Sequence, residues 1–311
     1  MTGHLSSPFV PPAPRSSEER RAEAQAIISD RARWRSVPFT VALVQARPVL
    51  GDLKANTARV VEAVRREPAD LVVFPELFLS GYAVKDAFAQ LALDPRAPDG
   101  PFAEIAAACR ASGKHVVVGA PTKARSRGLV HNSLVLVGPE GIVGQYDKVY
   151  LPTFSLFEED HWFQEGRGLP VFPIKLHGED VKVGLCICYD LFFPEVTKAL
   201  AMRGADLLVC AAASPTPSRP HFEAVFAARA LETTCHLAFT NLAGAQDAAL
   251  FWGGAQAWSP RGAKVAQGPY DVEGVAHATL DLADVEEARR RRPVLRDTRD
   301  EVLRMLLDSG R

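Results

Sequence analysis

A chain of 311 residues carrying 36 Lys and Arg against 37 Asp and Glu has a net charge of −1. That balance removes the basic footprint of a dedicated nucleic-acid binder, and no apolar run approaches the roughly 18 residues needed to span a bilayer. The first residues, MTGHLSSPFVPPAPR, lack the apolar segment of a secretory signal, and five cysteines are too few for a disulfide scaffold, so a cytoplasmic protein with reduced thiols is expected.

Residues 1–15 are rich in Pro and Ser and read as extended or disordered, and 16–35 as a polar helix with Ser17 as N-cap. VPFTVALVQ (37–45) is apolar on both faces, as a central strand should be. Helices at 53–66 and 101–111 then alternate with strands at 71–74 and 115–120. A hairpin joins 132–137 to 142–147 through Gly138-Pro139-Glu140-Gly141. Further strands are expected at 181–188, 206–212, 235–241, 254–259, 263–267 and 275–281, with helices at 194–203 and 220–232. This alternation, with hairpins, indicates one α/β domain with a mixed sheet or paired sheets. The domain spans 37–285, between an extension at 1–36 and a helical tail at 286–311. The run Arg289 to Arg292 in that tail reads as a solvated helix end paired with neighbouring acids, and the tail's functional use would be a subunit contact.

Dinucleotide, P-loop, zinc-protease and nucleophile-elbow motifs are all missing, and Cys186 and Cys188 stand without the second pair that a zinc site needs. Three segments instead put a polar residue where an apolar strand stops. In LVVFPELFLSGY (71–82), Glu76 sits among apolar residues that would raise its pKa into the range of a general base, or it is a surface glutamate at a strand end. In YDKVYLPTFSLFEEDHWF (146–163), Lys148 could face a developing oxyanion, or snorkel at a sheet edge. In VKVGLCICYDLFFPE (181–195), Cys188 ends the strand where α/β folds present reactive groups, whereas Cys186 lies inside it as packing. Cys109, Cys210 and Cys235 read as core.

Taken together and in this order, FPELFLSGY, DKVYLPTF with FEEDHWFQEG, and GLCICYDLFFPE resemble the three motif blocks of the nitrilase (carbon-nitrogen hydrolase) superfamily. AAASP, RALETTCHLAFTN and FWGGAQAWSPRG extend the similarity over about 38–285. The resemblance implies a four-layer α-β-β-α sandwich with two mixed sheets, commonly paired in dimers. It also implies a catalytic triad of Glu76, Lys148 and Cys188, with Glu159 orienting the site. Attack by Cys188 on an amide carbon would be supported by Lys148 and the Tyr189 backbone N–H and would need neither metal nor cofactor. No histidine takes part, so His131, His161, His221 and His236 are expected to be structural, with His161 and Trp162 near enough to Glu159 to line the pocket. Tyr82, Phe192 and Ser214 are the expected substrate-binding residues.

Within the superfamily, Cys188-Tyr189-Asp190 is similar to the amidase-type branches rather than to the Cys-Trp-Glu of nitrilases. A second resemblance is to the glutaminase domain of glutamine-dependent NAD synthetases, where Cys-Glu-Asp is usual; Tyr189 replaces that acid, and no ATP-binding loop follows. The expectation is therefore a free-standing amidase acting on a small amide with a modest or apolar acyl group. Glutaminase or omega-amidase activity comes second and N-carbamoyl amide hydrolysis third, with a catalytically silent binding module as the reading from another class.

Overall fold

The side chains of β1 (Pro38–Gln45) alternate between two cores, and this alternation sets up the layers. Phe39, Val41 and Leu43 enter one apolar cluster, while Ala42 and Val44 enter a second, as the period of two along a strand requires. A computed structural model of the chain describes residues 16–18, 36–155 and 157–309. The expectations for 1–15, and for all of the following helix except residues 16–18, lie outside the described residues.

β1 pairs in parallel with β2 (Leu71–Val73), and β2 with β3 (His115–Lys123). β4 (Val130–Gly138) and β5 (Gly141–Asp147) extend that edge antiparallel, and β14 (Gly274–Asp281) closes the other side against β1. The second sheet of six is built around β7 (Glu179–Ile187), β8 (Leu207–Ala212) and β9 (His236–Asn241), all parallel. β6 (Val171–Leu176) flanks it on one side, and β12 (Gln256–Trp258) with β13 (Lys264–Gln267) on the other. Helices α1 (Leu53–Arg66) and α2 (Pro101–Ser112) cover the outer face of the first sheet through Val60, Val64, Phe102 and Ile105. Helices α3 (Pro194–Met202) and α4 (Arg219–Thr233) cover the second through Val196, Leu200, Phe222 and Phe226. Between the sheets, Val41, Val73, Val117 and Leu134 share one cluster with Val181, Val183 and Leu185. The result is the four-layer α-β-β-α sandwich with two mixed sheets.

Sequence and structure part company at a few elements. β6 was not foreseen because Pro173 interrupts it, and a proline in a strand is tolerated at an edge, where β6 lies. A small hairpin, β10 (Ala243–Gln246) with β11 (Ala249–Trp252), was also missed, its first strand being Ala-Gly-Ala-Gln. The strand expected at 254–259 shrinks to β12 because Gly253 and Gly254 both take positive φ. Cys235 precedes β9 rather than lying within a strand. The tail's helix begins before 286, as α5 (Leu282–Arg291) capped by Asp281, and α6 (Asp300–Asp308) follows. Arg289 meets Asp206 at 3.0 Å and Arg291 meets Glu287 at 2.9 Å, so part of the basic run is paired with acids. Among the described residues no helix is long and apolar enough to cross a membrane.

Candidate active site

Glu76 owes its position to a glycine on the neighbouring strand. After β2 the chain keeps hydrogen bonding to β3 through Phe74 N–H to the Val117 carbonyl (2.8 Å), then turns at Leu77 with φ +51° and returns through Leu79 N–H to the Gly119 carbonyl (3.0 Å). A Cβ at Gly119 would lie 2.3 Å from Leu77 N, 2.4 Å from the Pro75 carbonyl oxygen and 2.8 Å from Glu76 C. These are backbone atoms, so strand or turn would have to move. Gly119→Ala is expected to cost about 1–3 kcal/mol of stability through overpacking and about 100-fold in kcat/KM through displacement of Glu76. Urea unfolding and ammonia-release kinetics on the same preparation measure the two effects separately.

Lys148 begins where β5 ends. Its N–H donates to the Asn132 carbonyl at 2.9 Å, and its carbonyl accepts from Gly166 N–H at 2.7 Å. The ammonium Nζ lies 2.7 Å from Glu76 Oε1 and 2.7 Å from Glu159 Oε1, and all three side chains are buried. Glu159 opens a single helical turn, Glu159–Trp162. Two carboxylates around one ammonium leave a net negative charge in the interior, which is tolerable only because further donors converge on it. Asn132 Nδ2 donates to Glu76 Oε1 (2.7 Å) and Glu159 Oε2 (3.4 Å), Ala213 N–H to Glu76 Oε2 (2.6 Å), and the Tyr82 hydroxyl to Glu159 Oε1 (2.7 Å). Burial acts to lower the Lys148 pKa, but Glu159 and Glu76 outweigh it and hold the ammonium above its ordinary value. Burial pushes Glu159 up to about 7, with the Glu76 charge adding to it and Lys148 opposing.

Cys188 is the first residue beyond β7, at the start of a helical turn Cys188–Phe192, and takes φ +47°. A non-glycine residue in that region carries strain, held here by the surroundings. Asp190 supplies part of the hold. Its buried carboxylate accepts Ile187 N–H (2.9 Å), Tyr150 N–H (2.9 Å) and the Tyr146 hydroxyl (2.7 Å), tying the Cys188 elbow to the segment that follows Lys148. Burial, then the Glu76 charge, push the Cys188 thiol well above the usual value, while Lys148 pulls the other way. That direction favours the neutral thiol over the thiolate.

Strand ends from both sheets thus meet at one place: Glu76 and Lys148 follow β2 and β5, and Cys188 and Ala213 follow β7 and β8. A cavity of about 440 Å³ opens on Cys188 and is lined in part by Tyr189, Phe192, Ser214, His221 and Phe222. Phe192 and Ser214, two of the expected substrate-binding residues, stand in its wall. Tyr82 does not line this cavity: its hydroxyl is taken by Glu159, and it borders a separate space of about 250 Å³. Trp162 also lines that second space, and His161 stands exposed on the surface beside it, so neither reaches the Cys188 cavity. His131 and His236 bond the Gln164 and Asp281 carbonyls. His221, expected to be structural, stands in the cavity wall instead. Asn132 and Asp190 were missed as site residues, because their contacts arise from strand register and not from any local pattern. All five cysteines are free, and Cys109, Cys186, Cys210 and Cys235 are fully buried. Among the described residues no group of three or more His, Cys, Asp or Glu could hold a metal ion.

Comparison with known proteins shows the family of the chain. Residues 40–290 match the family model described as carbon-nitrogen hydrolase. An (R)-stereoselective amidase from Pseudomonas sp. is 33% identical over 264 residues, covering 83% of this chain and 91% of that protein. A glutamine-dependent NAD(+) synthetase from Aquifex aeolicus is 30% identical over 262 residues, 82% of this chain but only 44% of the synthetase's length. Among solved structures, a variant amidase from Nesterenkonia sp. AN1 carries the acetamide moiety of fluoroacetamide on its active-site cysteine. It superposes with a TM-score of 0.70 at 26% identity, covering 86% of this chain and 95% of that one. The chain belongs to the carbon-nitrogen hydrolase family, within the nitrilase superfamily.

Proposed function

We propose that this enzyme hydrolyses a small carboxamide to its acid and ammonia through a thioester on Cys188. The observation that carries the reading is the buried Glu76–Lys148–Glu159 chain, with 2.7 Å on either side of Nζ, beside a cavity that exposes only Cys188 among the cysteines. Because the thiol rests protonated, it needs a base at the moment of attack. Glu76 takes the thiol proton as the Cys188 sulfur bonds to the amide carbon. The carbonyl oxygen becomes an oxyanion facing Lys148 and the Tyr189 N–H. The C–N bond then breaks, Glu76 returns its proton to the departing nitrogen, and ammonia leaves. A water that gives its proton to Glu76 attacks the thioester, the C–S bond breaks, and the thiol is restored with the free acid. Glu159 and Tyr82 keep Lys148 in place and do not exchange protons with substrate. The chemistry needs no cofactor, and a cytoplasmic homodimer or larger homo-oligomer acting on a small-molecule amide accompanies the reading.

The shifts of Glu159 and Lys148 give the expected direction of the pH dependence. A carboxylate raised toward 7 is ionised, and holds the ammonium in its active pairing, only above that pH. The kcat/KM profile should therefore rise through about pH 7 instead of the pH 4–5 of ordinary carboxylates. No fall assignable to Lys148 should follow below pH 10, since its ammonium is held above the ordinary value. Profiles between pH 3.5 and 10 read both features, and a limb remaining at pH 4–5 would contradict this role for Glu159. The activity itself is tested by an ammonia-release screen across primary amides, L-glutamine, 2-oxo acid amides, N-carbamoyl amino acids and nitriles. Primary amides should be turned over by the wild type and not by Cys188→Ala; turnover of nitriles alone would refute the amidase reading.

A further inference from the structure

The walls of the Cys188 cavity go beyond the amidase reading on which this inference rests, and bear on the acyl group. Five aromatic rings follow one another around it. Phe157 meets Phe154 at 5.6 Å between centroids, Phe154 meets Tyr189 at 5.3 Å, Tyr189 meets Phe192 at 6.1 Å and Phe192 meets Phe222 at 4.8 Å, all tilted or edge-on. The belt runs from the surface, where Phe154 is 50% exposed, to the interior, where Phe222 is 2% exposed. Rings set at such angles present both edges and faces, the arrangement in which another ring finds complementary quadrupoles. Among the described lining residues there is no Asp, Glu, Lys or Arg. Besides Cys188 and the Tyr189 hydroxyl, the polar residues are Ser218, His221 and Ser214, whose hydroxyl oxygen is buried and has no hydrogen-bond partner among the described residues. Asn241 clamps the Ser214 backbone on both sides, accepting from its N–H at 2.7 Å and donating to its carbonyl at 3.0 Å, next to Ala213, whose N–H holds Glu76.

We infer that the preferred substrates are neutral amides of arylaliphatic acids, with the ring held in this belt and a neutral polar group of the substrate meeting the Ser214 hydroxyl. An acetyl or propionyl group would leave most of the 440 Å³ unfilled. The ammonium and carboxylate of glutamine would be buried there without a charged partner, which is costly. A single methylene in an apolar pocket changes discrimination by about 10- to 200-fold, so a whole ring is expected to raise kcat/KM over propionamide by about 100-fold or more.

The experiment compares kcat/KM for phenylacetamide, 3-phenylpropionamide, cyclohexylacetamide, propionamide and L-glutamine on the full-length enzyme and on Phe154→Ala, a half-exposed position where folding is not at risk. The inference expects the two phenyl amides to lead, cyclohexylacetamide to trail them by about tenfold, and Phe154→Ala to narrow the phenyl-to-propionamide ratio. Phenyl amides no better than propionamide or glutamine, or equal rates for phenyl and cyclohexyl, would overturn it while Cys188-dependent ammonia release kept the amidase reading intact. Absence of ammonia from every amide would overturn both.

Discussion

Replacing Lys148 by methionine is expected to destabilise the protein by about 3–5 kcal/mol and to lower kcat/KM by about 1,000-fold or more. The stability loss follows from what remains. Glu76 and Glu159 would face each other across the vacated Nζ position, both buried, with Asn132, Tyr82 and Ala213 N–H as their donors. One carboxyl would have to take up a proton to relieve the repulsion. The activity loss follows from removal of the cation beside the reacting carbonyl. The two effects separate in the double variant Lys148→Met/Glu159→Gln, which deletes one of the stranded charges. It should recover part of the stability and none of the turnover, as read by urea unfolding alongside ammonia release. Parallel recovery of both would mean that Lys148 is a structural cation only.

Cys188→Ala should remove at least about 10,000-fold of kcat, in line with deletion of a nucleophile elsewhere, with little change in stability. Alanine keeps the strained φ of +47° and the Asp190 contacts to Ile187 and Tyr150, which do not involve the sulfur. Cys186→Ala should behave in the opposite way. Its sulfur lies inside β7, 3.7 Å from the Val209 carbonyl, so the loss is a small core cavity worth about 1 kcal/mol, with most of the turnover intact. Steady-state ammonia release and thermal unfolding of the two variants side by side decide between the thiols, and equal losses of turnover would undo the assignment.

Much of this was legible in the sequence because each chemical residue sits beside a local signal. Glu76, Lys148 and Cys188 all follow apolar strands, and 37–45 is apolar on both faces, as a strand between two cores must be. What the sequence could not convey depends on residues far apart in the chain. Asn132 reaches Glu76, 56 positions away, only because β4 pairs with β3 in a particular register. Asp190 enters the sequence reading only as the end of the Cys188-Tyr189-Asp190 triplet, and its bonds to Tyr146 and Tyr150 come from the other sheet. Tyr82, expected among the substrate-binding residues, gives its hydroxyl to Glu159, a contact between residues 77 positions apart. His221 was set aside because the chemistry asks for no histidine, yet helix α4 carries it into the cavity wall. Among the strands, β6 was hidden by Pro173, a residue that argues against a central strand and says nothing against an edge.

The central claim is that Cys188, beneath the Glu76–Lys148–Glu159 chain, carries the acyl group. Intact-mass spectrometry of enzyme quenched in acid during turnover of a primary amide tests it most directly. The account predicts an adduct of the acyl mass on the wild type and on Cys186→Ala, a much slower appearance of it in Glu76→Gln, and none in Cys188→Ala. An acyl adduct that persists in Cys188→Ala, or forms at full rate in Glu76→Gln, would contradict it.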